Sequence, residues 1–138
     1  MFFNNKFKDN DKTEDLVKIA ALLIHAAKID ENYSNKEELI VKKTLIEIGA
    51  TKENLDKLLE DAKKAEENSN QILDFTREVK SMNDNDKIKI IETLWRIIYS
   101  NNDADMYETN LMRRLEGLLY IDNNIMGAIK DKIKKENK

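Results

Sequence analysis

The sequence predicts an all-α fold of about seven helices, arranged as two pseudo-symmetric three-helix halves joined by a connecting helix. Three observations carry this. The 138 residues include no proline and three glycines, and all-β or α/β folds would need more turn residues than that. Apolar residues recur at spacings of three and four over most of the chain. The chain also repeats itself at an offset of 71 positions: Ile19 meets Ile90, Leu23 meets Leu94, Ile40 meets Leu111, Val41 meets Met112, Ile48 meets Leu119 and Leu58 meets Ile129. Two copies fall short of the three or so that a solenoid needs, so the halves are expected to pack on each other.

Residues 1–11 are polar, with Phe2, Phe3 and Phe7 interspersed, and read as a flexible N-terminal segment. A single helical domain is expected over 12–138, its repeats spanning about 14–67 and 85–138. The first helix begins at Asp11 or Thr13. Between Leu16 and Ala27 its apolar residues surround the cylinder, which predicts a central, buried helix. Ser34 and Glu37 have the spacing of a capping box opening the second helix, which turns Ile40, Val41, Thr44, Leu45 and Ile48 inward and stops at a left-handed Gly49. Thr51 caps the third helix, with its stripe of Leu55, Leu58, Leu59 and Ala62, and Asn68-Ser-Asn breaks it. The fourth carries Ile72, Phe75, Val79 and Met82. Asn83-Asp-Asn-Asp starts the fifth, apolar on all sides like the first and expected to lie against it. Asp105 caps the sixth, with Leu111, Met112, Leu115, Leu118 and Leu119 inward. Asp122 caps the seventh, with Ile125, Met126, Ile129 and Ile133 inward and Lys130, Lys132, Lys134 and Lys135 near its C-terminal dipole end.

Composition narrows the function. The net charge is −3, with 37% charged residues intermixed, so there is no basic stripe of the kind nucleic acid needs. The absence of cysteine removes disulfides, thiolate metal sites and thiol nucleophiles. The N-terminus lacks the form of a signal peptide. The longest apolar-rich run, Leu16–Ile29, is interrupted by Lys18, His25 and Lys28 and is short of the ~20 residues a membrane span needs. A cytoplasmic location without membrane insertion is therefore expected.

The acidic loop-to-helix junctions are the one place that hints at chemistry. Asp30, Asn32 and Ser34, and again Asn101, Asp103 and Asp105, open like an EF-hand loop. An EF-hand needs glycine at its sixth position and glutamate at its twelfth. Those positions hold Asn35 and Val41, then Met106 and Met112, so a true EF-hand is rejected. A looser, partly hydrated site for calcium, magnesium or manganese would draw on Asp30 and Glu37, or on Asp103, Asp105 and Glu108. Helix capping accounts for several of the same residues. His25, whose repeat partner is Arg96, reads as a boundary residue holding a hydrogen bond. Trp95, on the most apolar helix, reads as core first and interface anchor second. Arg113 and Arg114 read either as a solvated pair near Glu108 or as a dock for an anionic partner.

The stretch Tyr99-Ser-Asn-Asn-Asp-Ala-Asp-Met-Tyr-Glu-Thr-Asn-Leu-Met-Arg-Arg-Leu-Glu-Gly-Leu-Leu resembles the second half of the TerB family, the tellurite-resistance-type proteins and the N-terminal region of DjlA co-chaperones. Ala26, Asp30, Tyr33, Ser34 and Glu37 resemble the family's first acidic segment, and the resemblance covers about Asp15 to Ile133. It implies a fold of about seven helices and carboxylates used for divalent cations. The matching positions here are Asp30, Glu37 and Glu108. Asn101-Asn102 and Asp30-Glu31 stand where the family has Asp-Gly, which lowers the ligand charge unless Asp103 or Asp105 compensates. No His-Pro-Asp signature of a J-domain is present. The expected function is a non-catalytic cytoplasmic helical module that binds a partner protein, in a membrane-associated complex or as a homodimer, within a tellurite-type stress response. The alternatives are a purely structural or oligomerising protein and, more remotely, a metal-dependent hydrolase.

Overall fold

The computed structural model describes the backbone of residues 2–28, 35–68, 72–99 and 106–136, and the side chains of 14–28, 35–68, 72–99 and 110–136. Among the described residues there are seven α-helices and no strand: α1 (Phe2–Lys28), α2 (Asn35–Glu47), α3 (Lys52–Glu67), α4 (Leu73–Lys80), α5 (Asp84–Tyr99), α6 (Met106–Leu118) and α7 (Asn123–Glu136). The 71-residue offset reappears in the boundaries. α1 and α5 end at Lys28 and Tyr99, α2 and α6 coincide at both ends, and α3 and α7 start at Lys52 and Asn123.

The helix α1 begins at Phe2, well before the Asp11 or Thr13 expected from the sequence. Phe2–Lys28 contains neither proline nor glycine, so no backbone chemistry stops the helix at Thr13. From Leu16 to Ala27 it is buried nearly all round, from Leu16 and Ile19 through Leu22, Leu23 and Ile24 to Ala26 and Ala27. The second such helix is α5, which buries Ile90, Ile91, Leu94, Trp95, Ile97 and Ile98. These two helices touch each other, as expected, but the longest seam of α1 runs along α3 and that of α5 along α7. The helix α4 packs on α1, α5 and α6 and ties the halves together.

The helix ends repeat as well. After α2, the amide of Ala50 donates to Leu45 O at 2.8 Å and that of Gly49 to Ile46 O at 3.3 Å, a Schellman closure with Gly49 at φ 129°. After α6, Ile121 donates to Glu116 O at 3.0 Å and Tyr120 to Gly117 O at 3.4 Å. Here Tyr120, the repeat partner of Gly49, takes the left-handed position at φ 55°. Thr51 and Asn54 form a reciprocal capping box at α3. Asp122 Oδ1 accepts the amide of Asn124 at 2.7 Å at the start of α7, and Asn83 Oδ1 accepts that of Asp86 at 2.8 Å at the start of α5. The caps expected at Ser34 and Asp105 lie outside the described residues.

One inward assignment needs correction. Ile125 is 48% exposed, because the buried stripe of α7 is Met126, Ile129 and Ile133 and a neighbour one residue along is turned ~100° away from it. Ile40 and Leu118 are half-buried and pack against the core.

Candidate functional site

The loop-to-helix junctions were the first candidate. Asp30, Asp103 and Asp105 lie outside the described residues, and Glu108 is described only as backbone within α6. Glu37 is described. It occupies the first turn of α2 with its side chain only 1% exposed. A carboxylate buried that deeply would cost several kcal/mol unless it were hydrogen-bonded, paired or bound to a cation, and Glu37 does have a polar partner within the fold. The helix N-terminus adds favourable partial positive charge at this position. Among the described residues no three His, Asp or Glu side chains converge into a metal-binding group.

His25 is a boundary residue on the α1–α3 seam. Its Nδ1 lies 3.4 Å from Glu66 Oε1, while Lys28 Nζ donates to Glu66 Oε2 at 2.8 Å. That hydrogen bond raises the Lys28 pKa, against some desolvation. Among the described residues no hydroxyl is bonded to His25. On the pseudo-equivalent α5–α7 seam, Arg96 grips Glu136 with two nitrogens, Nε at 3.1 Å and Nη2 at 3.3 Å. Lys132 donates to Glu92 at 2.7 Å. The Arg96 hydrogen bond lowers the Glu136 carboxyl pKa. Both seams are ionic clasps of the kind that tie helices together.

A second candidate opens between α6 and α7, over Trp95 of α5. It is a groove of about 230 Å³. Its apolar floor is Trp95, Met112 and Met126, and its charged groups are Arg113, Glu116 and Lys130. Trp95 is 2% exposed and stacks on Tyr99 with ring centroids 5.8 Å apart. Its indole N–H donates to Met126 S at 3.3 Å. Burial, with Asp131 nearby, pushes the Tyr99 phenol up. Lys130 Nζ sits 5.3 Å from the centre of the Trp95 ring. Asn123 and Gly127 complete the lining on α7, and a Cβ added at Gly127 would meet nothing within 4 Å.

The groove reflects a departure from the repeat. In the first half α2 packs closely against both α1 and α3, whereas the closest sustained backbone approach of α6 is to α4. Sequence reasoning singled out Trp95 and Arg113, but not that Met112, Met126, Gly127 and Lys130 meet them. The available signal was Gly127 in mid-helix, where no turn or close approach requires glycine. Arg114 does not line the groove.

Among the described residues no helix is long and apolar enough to cross a membrane. A family model described as tellurite resistance protein TerB matches residues 16–131. No curated protein and no solved structure matches the chain.

Proposed function

Because the chain belongs to the TerB family, we propose that it is a non-catalytic helical module that binds a partner protein and responds to a divalent cation at its acidic loop-to-helix junctions. The observation that carries the cation part is Glu37, a carboxylate 1% exposed in the first turn of α2, directly after the first acidic loop. With Asp30 it would form one such site, and Asp103, Asp105 and Glu108 would offer the other. These are all oxygen donors, which suits calcium, magnesium or manganese rather than a thiolate-seeking metal. The bound ion would supply positive charge to offset these carboxylates. A cytoplasmic role in tellurite-type stress is proposed on the family description alone.

The experiment is a thermal melt with calcium, magnesium or manganese titrated against an EDTA control. At an ion concentration a hundredfold above its dissociation constant, a specific site adds about 2.7 kcal/mol. We expect a saturating rise for one ion that is lost when Asp30→Ala and Glu37→Gln are combined. If no ion produces a rise, these residues serve only as helix caps and the cation part of the reading fails.

A structural, oligomerising role is favoured by one observation. Leu39 and Ile46, 66% and 39% exposed, lie seven residues apart on one face of α2. If this face self-associates, Leu39→Lys converts a sedimenting dimer to a monomer. A wild-type monomer at all concentrations rules that role out.

A further inference from the structure

We propose that the α6–α7 groove is a docking site for a short acidic–apolar segment of a partner protein. An apolar side chain would enter beside Gly127, and a flanking carboxylate would be held by Arg113 and Lys130. This goes beyond the cation site and rests on the reading of the chain as a protein-binding module.

Size is the first argument. At about 230 Å³ the groove is smaller than the roughly 300–1,000 Å³ of small-molecule sites, so it suits one or two side chains better than a whole metabolite. The floor has the character of a recognition surface. Two methionines flank the buried Trp95, combining an adaptable thioether lining with a rigid aromatic anchor. A Cβ added at Gly127 would meet no neighbouring group within 4 Å, in a helix where every residue but proline would be favoured over glycine.

Charge supplies the partner's chemistry. Among the described residues no carboxylate pairs with Arg113, and the contact of Lys130 is with the Trp95 ring. Glu116 lies in the same groove, paired with neither cation. The lining therefore carries a small net positive charge together with one carboxylate, Glu116, and the amide of Asn123. A simple multivalent anion would be repelled by Glu116. An extended peptide offers the matching set, with a carboxylate for the guanidinium and ammonium, a backbone N–H for Glu116 and an apolar side chain for the floor.

Trp95, the only tryptophan, reports directly on the groove. The probe is a capped octapeptide with a central Leu-Phe flanked by glutamates, titrated into the 138-residue chain up to about 1 mM, a weak limit for a specific contact. Its controls are the glutamine version, the lysine version and free succinate. We expect a saturable change in Trp95 fluorescence with the acidic peptide only, weakening as salt is raised. Arg113→Ala, at an exposed position, should weaken binding roughly tenfold, as loss of a charge-assisted contact does. Gly127→Leu should abolish binding while the melting temperature stays level or rises, because a Cβ here meets no neighbour and leucine favours the helix over glycine. Asp30→Ala in EDTA should leave peptide affinity unchanged, which separates this site from the cation site. The proposal is overturned if the acidic peptide gives no saturable change, if the glutamine version or succinate binds equally well, or if Gly127→Leu still binds. It is also overturned if sedimentation shows that Gly127→Leu breaks a dimer, which would make a second copy the occupant.

Discussion

At Gly49 and Tyr120 the same backbone turn is made by two very different residues. The left-handed region costs a non-glycine residue roughly 1–2 kcal/mol, so Gly49 at φ 129° is irreplaceable in a way that Tyr120 at φ 55° is not. Gly49→Ala is expected to destabilise by about 1–3 kcal/mol, measured by the denaturant midpoint. Tyr120 is offset by Lys80, whose Nζ sits 4.1 Å from its ring centre, an exposed contact worth about 0.5–1 kcal/mol. Tyr120→Gly should therefore stabilise the protein more in a Lys80→Ala background than in the wild type, and equal effects in the two backgrounds would show that the ring contact contributes nothing. A second residue-scale asymmetry lies at the α2–α5 seam. Thr44 and Thr93 hydroxyls meet at 2.7 Å in the core, and Thr93 donates to Lys89 O at 2.8 Å. With that proton committed, Thr44 must donate to Thr93. Thr93→Val then strands a buried donor, at a cost of about 1–3 kcal/mol, while Thr44→Val removes only a bond. We expect Thr93→Val to be the worse single change and the double variant to cost less than the sum. Gly49 was legible in the sequence because glycine marks a cap. Tyr120 and the threonine pair were not, because neither residue type announces a left-handed turn or a cross-helix partner.

The helices of the second half show how far periodicity reaches. The stripe of α7 was legible, yet Ile125 was placed inward because three apolar residues stand close together and the period alone does not choose between neighbours. The choice came from the helices that α7 meets. Its ionic clasp to α5 is a pairing that no local pattern encodes, since Arg96 and Glu136 are 40 residues apart. The Glu136 pKa is depressed by Arg96, so this carboxylate stabilises the fold above the ordinary glutamate range, near pH 4.3, and the contribution is lost as pH falls through the depressed value. Both side chains are more than a third exposed, and solvent screening holds such pairs to about 0.2–1 kcal/mol. Arg96→Gln should lower stability by that order at pH 7, and the difference should close below about pH 4 and in high salt. A pH-independent difference would point to lost packing instead. Gly117 and Gly127 both face open space within helices. Alanine at either position should add up to about 1 kcal/mol, seen as a higher denaturant midpoint.

For the whole molecule, α5 and the stretch of α1 from Leu16 to Ala27 are what other elements cover on most sides. Their amides should exchange with solvent only on global unfolding, while those of α6 exchange earlier through local opening. Greater protection in α6 than in α5 would contradict the packing described here. The all-α class, the number of helices, the two related halves and membership of the TerB family were all determined by the sequence alone. They rest on local quantities, namely missing turn residues, helical periodicity, capping signals and a repeat that can be read along the chain. The carboxylates of the junctions were legible as residue types, since a cap and a cation ligand are both local chemistry. Only the tertiary structure decided that Glu37 is buried, that the Schellman turns match, and that α6 leans toward α4 and leaves a groove over Trp95. Those outcomes depend on how helices distant in sequence compete for the same apolar surface. Near-identical local patterns in the two halves settle that competition differently.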